Sequence, residues 1–445
     1  MQIVSQNSLT ILSAHKHECM KSTLLTILIS LFPILTTAQD FKGYTLDEIQ
    51  AIHADFDIHQ QSNKGGNFTR YFNSHMSEFW PHQVLSRNGA IRTLDYNLRA
   101  DIGNFITSTV EGDIPLEEYI KSPLVDGMII LHKGKIVFER YPHMKDYYKH
   151  HSFSVTKPYV STIIAMLELE GKIDIHQPVS TYLTELKGTD WGAVPIIDVL
   201  DMSSGMGIDD NLFASIFFNE NGWIGNDKSK GGPAGQLAPM KKTGPSGQIY
   251  EYFSLNTEVL GWIIERITNR TAVELIEERI WQKMGAEFDA HMFLPNSNDR
   301  MYMGGMSAAL RDHARFGLLF TPSGRVAPYD LIPESYIQKI QKGGRPQIIK
   351  NSGPIDLFIY DDPITAEHLV DGEAPRHSTY QWDVVMNDGD FFKEGGGGQG
   401  LYISPGRDFV IAFFGTRGFD ENGNIQLNNL HQIARQLAKS GLFND

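Results

Sequence analysis

The sequence predicts an α/β chain of the α+β kind, with one antiparallel sheet drawn from both chain ends and an inserted α-helical region. Three observations predict it. A β-rich hairpin pattern occurs early, another occurs late, and helical apolar spacing lies between them.

The chain begins with a leader. Met20-Lys21 precedes the apolar run Leu24 to Leu35, and Thr36-Thr37-Ala38 follows. A basic end, a short apolar run and a small-residue exit read as a secretory signal peptide. A membrane anchor is the alternative reading. Met20 reads as the true start, and residues 1–38 as leader and signal. The expected location is secreted or periplasmic, with no stable span in the mature chain. Residues 39–121 are mixed and polar and read as an N-terminal extension without recognisable chemistry.

The early hairpin joins Gly127–His132 to Lys135–Tyr141 through Lys133-Gly134. From Pro158 to Glu170, Val160, Ile163, Ile164 and Leu167 fall at helical spacing, and Gly171 is a natural stop. Val259, Leu260, Ile263, Ile264 and Ile267 mark a second amphipathic helix. The late hairpin runs Leu401–Ser404, turns at Pro405–Asp408 and returns through Phe409–Phe414. Leu427, Leu430, Ala434 and Leu437 mark a closing helix.

Composition narrows the function. The chain has 445 residues, 41% hydrophobic and 21% charged, which is ordinary globular composition and enough to bury a sizeable core. Its formal net charge of −14 opposes nucleic-acid binding, which needs clustered cations. The one cysteine, Cys19, lies in the leader, so no disulfide framework, Cys-rich zinc site or cysteine nucleophile is expected. No His-Glu-x-x-His motif and no Gly-x-Ser-x-Gly elbow occurs; Gly244-Pro245-Ser246-Gly247-Gln248 lacks the last glycine. The glycine-rich run from Gly395 to Gly400 is followed by a hairpin rather than a helix, which opposes a dinucleotide site.

Ser154-Val155-Thr156-Lys157 is a Ser-x-x-Lys tetrad at the start of the first helix. One helical turn separates the two side chains, so they face the same way. Serine needs a base beside it, and a lysine whose pKa is lowered by burial can serve. The helix start also offers free N–H groups to an oxyanion. The tetrad alone is weak, for Ser13-Ala14-His15-Lys16 in the leader is a second copy.

Context strengthens it. The stretch His151–Pro158 leads into Gly171-Lys172-Ile173-Asp174, then Pro178–Leu183 and Leu200–Gly205. Tyr252–Trp262, Ile280–Glu287, Gly304–Ser307 and Arg311–Gly317 follow in order. Together these motifs resemble the serine β-lactamase-like hydrolases: class C β-lactamases, DD-peptidases, family VIII esterases and 6-aminohexanoate-dimer hydrolases. The wording around Tyr252 is most similar to the last of these.

The resemblance implies a β-lactamase/transpeptidase-like domain over residues 122–440, with the helical insertion at about 172–300. It implies Ser154 as nucleophile, and Lys157 and Tyr252 as the proton-transfer pair. Ser254 takes the place of the family's second-motif asparagine, where it should hold Lys157 less firmly. Lys393-Glu394-Gly395 fits the third motif, on a strand lining the site, and the N–H groups of Ser154 and Gly396 become the oxyanion donors. Two departures stand out. Pro158 disfavours a helical backbone at Lys157. Glu394 is expected to offset the Lys393 charge that β-lactamases use for the antibiotic carboxylate.

The reading is therefore an exported serine hydrolase acting on a small-molecule or short-peptide amide or ester. No metal or organic cofactor is needed, and loops such as Asp209–Gly247 are expected to set the substrate. One alternative is a penicillin-binding protein or β-lactamase acting on cell-wall peptides or β-lactams. Another is a catalytically weak binding or sensor protein of the same fold.

Overall fold

The computed structural model describes residues 41–56, 65–109, 112–207, 235, 237–294, 300–352, 373–419, 423, 425–426 and 428–444. The leader, Leu427, and most of the Asp209–Gly247 stretch lie outside the described residues.

After a short helix at Leu46–Ala54 come helix α1 (Gly66–Ser74) and strand β1 (His82–Leu85). The early hairpin follows as β2 (Val125–His132) and β3 (Lys135–Arg140). Its turn residues, Lys133 and Gly134, both have positive φ, at 50° and 74°. That is the backbone a tight two-residue hairpin requires. Next come β4 (His150–His151), α2 (Lys157–Leu169) and α3 (Leu255–Thr268). Then β5 (Ala290–Phe293), β6 (Met306–Ala308) and α4 (Leu310–Leu318) follow. The C-terminal part supplies β7 (His377–Thr379), β8 (Trp382–Val385), β9 (Phe391–Gly395), β10 (Gln399–Ser404), β11 (Phe409–Gly415) and α5 (Leu430–Lys439).

The main sheet is antiparallel throughout, in the order β3-β2-β11-β10-β9-β8-β7. Both chain ends build it, as the two hairpins predict. Alternation along the strands splits the core into two layers. Ile129 and Leu131 of β2 join the layer containing α2, α3 and α4, whereas Met128 and Ile130 join the layer under α5. With both faces covered, every residue from Val125 to Leu131 is buried. This is the β-lactamase/transpeptidase-like architecture, with the helices α2 and α3 inserted between the two sets of strands.

A second antiparallel sheet, β1-β5-β6-β4, was not foreseen from the sequence. Its strands are two to four residues long and come from distant segments. It matters because β4 delivers the chain to the Ser154 turn, and Ser152 N–H donates to Met306 O at 2.8 Å.

The extension is tied to this framework by charge. Arg70 on α1 donates from Nε to Asp126 Oδ1 at 2.6 Å, while His150 Nε2 lies 3.1 Å from Asp126 Oδ2. Asp126 is fully buried, and burial opposes its charge; its hydrogen bond to His150 and the Arg70 charge prevail and hold its carboxyl below the usual value. A buried carboxylate survives only with partners of this kind.

On α3, Gly261 is required by packing. A Cβ there would sit 2.1 Å from the Tyr302 ring, so only glycine lets that ring close over the helix.

Candidate active site

Ser154 lies in a 3-10 turn, Phe153–Thr156, that runs directly into α2. Side chains three apart eclipse in such a turn, which aligns Ser154 with Lys157. Phe153, just before the serine, has φ of 45°, an unfavourable backbone for a non-glycine residue. The turn places Ser154 half-buried at the surface of an otherwise buried helix start. Lys157 adopts helical φ and ψ of −58° and −43° despite the following proline. Pro158 falls in the first helical turn, where a missing N–H costs nothing.

Lys157 is completely buried. Its Nζ lies 3.0 Å from Ser154 Oγ and 3.3 Å from Ser254 Oγ, and donates to Met303 O at 2.5 Å. Burial, reinforced by the Lys393 charge, holds this amine well below the usual lysine value of 10.5. Ser254 does hold Lys157, as its motif position implies. The shorter contact comes from the Met303 carbonyl, which has no side-chain signal and is invisible to motif reading.

Tyr252 stands between the two lysines. Its ring centroid lies 5.3 Å from Lys157 Nζ and 5.0 Å from Lys393 Nζ. Its hydroxyl is 3.4 Å from Lys393 Nζ, and the neighbouring Ser154 hydroxyl favours its ionised form. Burial raises the phenol above its ordinary value, and Lys393 and Ser154 only partly offset this. Tyr250, two residues earlier, instead donates its N–H to Ser352 Oγ at 2.6 Å.

The expected role of Glu394 is corrected. Lys393 and Glu394 are successive residues of β9, so their side chains leave opposite faces of the sheet. Lys393 faces the site. Glu394 lies on the α5 side, with Oε2 4.0 Å from His431 Nδ1, and burial raises its carboxyl well above the usual value. The carboxylate that pairs with Lys393 is Asp383 of β8, at 2.6 Å and 2.8 Å from Nζ. Burial disfavours the Lys393 charge, but Asp383 outweighs burial and leaves its pKa raised. The sequence reading missed Asp383. Its signal was a lone acid in the apolar run Trp382-Asp383-Val384-Val385, which demands a buried partner.

Gly395 ends β9 against the serine turn. A Cβ there would lie 2.7 Å from Ser152 O and 3.1 Å from Phe153 Cβ, so glycine permits the close approach. Gly396, next in the chain, is half-buried, and its carbonyl accepts from Arg417 Nη2 at 3.0 Å. The structure thus gathers Ser154, Lys157, Tyr252, Ser254 and Lys393 at one place and brings Gly395 against its serine turn. Among the described residues, no group of three or more His, Cys, Asp or Glu could hold a metal ion, and no helix is long and apolar enough to cross a membrane.

The sequence profile of the beta-lactamase family matches residues 124–434. The chain belongs to the beta-lactamase family. Within it, the 6-aminohexanoate-dimer hydrolase of Paenarthrobacter ureafaciens is 26% identical over 307 residues, covering 66% of this chain and 74% of that relative. A Bacillus anthracis structure assigned as a 6-aminohexanoate-dimer hydrolase is 25% identical, with a TM-score of 0.67 over 84% of this chain and 93% of that one. A class C beta-lactamase in complex with cefoxitin shares the fold at 14% identity, with a TM-score of 0.52 over 73% of this chain and 96% of that one. As a member of the beta-lactamase family, the protein is a serine hydrolase acting on amide or ester bonds.

Proposed function

We propose that the protein is an exported hydrolase that cleaves a small amide or ester through an acyl-enzyme on Ser154. The observation that carries the proposal is the buried Lys157 amine, with its pKa driven down, 3.0 Å from Ser154 Oγ. A neutral amine has two N–H bonds and one lone pair. Met303 O can only accept, and Ser254 Oγ can take the second N–H, so the lone pair is left for the Ser154 proton.

Ser154 Oγ attacks the carbonyl carbon while Lys157 takes its proton. The N–H groups of Ser154 and Gly396 receive the oxyanion. Tyr252, protonated at neutral pH, gives its proton to the leaving group as the C–N or C–O bond breaks, and Lys157 returns one to Tyr252. Water then attacks the acyl carbon as the same pair takes its proton and passes one to Ser154 Oγ, which leaves as the hydroxyl and frees the acid. The departures at Pro158 and Ser254 leave this arrangement intact, which favours turnover over a binding or sensor role.

The charge on Lys393 speaks to the substrate. Both Asp383 oxygens engage it and it is fully buried, so no unpaired cation is left there for an antibiotic carboxylate. Short acyl esters are expected to be cleaved with higher kcat/KM than cephalosporins. A panel of p-nitrophenyl esters, a chromogenic cephalosporin, a D-Ala-D-Ala peptide and a linear ω-amino-acid dimer tests this. A cephalosporin kcat/KM above that of every ester would instead support the penicillin-binding or β-lactamase reading.

The pH profile follows from Lys157. Only the neutral amine accepts a proton, so kcat/KM rises with pH through the Lys157 pKa, well below 10.5. Lys393→Met removes a charge that lowers this pKa, while Asp383 and Glu258 still raise it. The acid limb should therefore move to higher pH in the variant. An unmoved limb, or one moved to lower pH, would contradict Lys157 as the titrating base.

Export rests on the sequence pattern of residues 20–38. It predicts a mature N-terminus near Gln39, read by N-terminal sequencing of extracytoplasmic protein; retention of Met1 or Met20 would count against it.

A further inference from the structure

The oxyanion donor proposed above sits in four consecutive glycines, Gly395 to Gly398. Glycine has the freest backbone of any residue, whereas an oxyanion donor works by being fixed before the reaction. The run must therefore be held by something other than its own side chains. Its ends are held by the hairpin: Gly395 pairs with Gln399, and Gly398 N–H donates to Gly395 O at 3.1 Å. Gly398 has φ of 91°, which glycine alone adopts readily.

The peptide between Gly396 and Gly397 is held at both of its polar groups. Its carbonyl accepts from Arg417 Nη2 at 3.0 Å, and its N–H donates to Gln399 Oε1 at 2.9 Å. A peptide is planar, so fixing both groups fixes the plane. Gln399 is fully buried, and its Nε2 donates to Gly415 O at 2.8 Å. Reversing that amide would set donor against donor and acceptor against acceptor, so its orientation is locked. Arg417 is anchored through its neighbour. Thr416 Oγ1 donates at 2.5 Å to Asp126, the buried carboxylate that also binds His150 ahead of the Ser154 turn.

We propose that Gln399 and Arg417 are positioning residues: they hold the Gly396–Gly397 peptide and, with Gly395 fixed by its pairing to Gln399, confine from both sides the one intervening peptide, whose Gly396 N–H faces the oxyanion; this rests on the acyl-enzyme reading. Neither touches the substrate in this account. Their loss should weaken transition-state binding while leaving ground-state binding alone.

The test uses Arg417→Met, Arg417→Lys and Gln399→Met in the full chain, with a p-nitrophenyl ester as substrate and a boronic acid as tetrahedral analogue. The Met variants should lose roughly tenfold or more in kcat, short of the about 10²–10³ lost with an oxyanion donor itself. KM should stay within about twofold, boronate affinity should fall with kcat/KM, and Arg417→Lys should recover part of kcat. Wild-type kcat in Arg417→Met, or a loss confined to KM, overturns the inference while the acyl-enzyme reading stands. Should the buried Gln399→Met fail to fold, the Arg417 pair decides alone. A wild-type enzyme that forms no acyl adduct overturns both.

Discussion

Ser154→Ala should leave a folded protein that no longer acylates, with kcat reduced on the order of a millionfold, as when other serine hydrolases lose their nucleophile. The size of the loss follows from the described residues offering no second nucleophile. The other serine hydroxyl hydrogen-bonded to Lys157 is that of Ser254, 3.3 Å away and buried at the start of α3. Ser152, two residues before the nucleophile, is buried with its Oγ 2.5 Å from His313 Nε2 and cannot replace it. The fold should survive, because the described hydrogen bond of the Ser154 hydroxyl is the one to Lys157, while Phe153–Thr156 is held by backbone and Thr156 bonds. Thermal melting of the variant beside wild type separates lost chemistry from lost structure. Residual turnover within about tenfold of wild type would remove Ser154 from the mechanism.

Tyr252→Phe should lower turnover by about 10²–10⁴ while the protein stays folded, the usual range for losing a general acid–base group. The phenyl ring remains between Lys157 and Lys393, so packing and both lysine–ring contacts persist. Only the hydroxyl, 3.4 Å from Lys393 Nζ, is lost. Tyr250→Phe is the internal control and should be mild, because that residue's described bond is a backbone one to Ser352. A dead Tyr250→Phe beside an active Tyr252→Phe would shift the catalytic tyrosine by two residues.

Much of this site was legible because its signals are local or ordered along the chain. Ser154 and Lys157 are one turn apart, and Lys393 sits at a fixed place before glycines. Both hairpins could be read from their turns and the β-rich runs that flank them. What stayed hidden depends on long-range pairing. Asp383 meets Lys393 only because β8 and β9 are neighbours, and the Met303 carbonyl reaches Lys157 across 146 residues of chain. Glu394 was misread because adjacency in sequence was taken for adjacency in space, whereas a strand sends successive side chains to opposite faces. The extension showed no chemistry of its own, yet its Arg70 pairs with the buried Asp126, which also meets His150 ahead of the Ser154 turn. That pairing joins residues 56 apart and leaves no local trace.

The central claim is that Ser154 is the nucleophile and that the neutral Lys157 activates it. Labelling with a fluorophosphonate at neutral pH, followed by intact mass and peptide mapping, tests it most directly. The account predicts one adduct, on Ser154, in wild type and none in Ser154→Ala. Lys157→Arg, whose guanidinium stays protonated and cannot accept a proton at neutral pH, should label at a small fraction of the wild-type rate. An adduct on another residue, or labelling of Lys157→Arg as fast as wild type, would contradict the account.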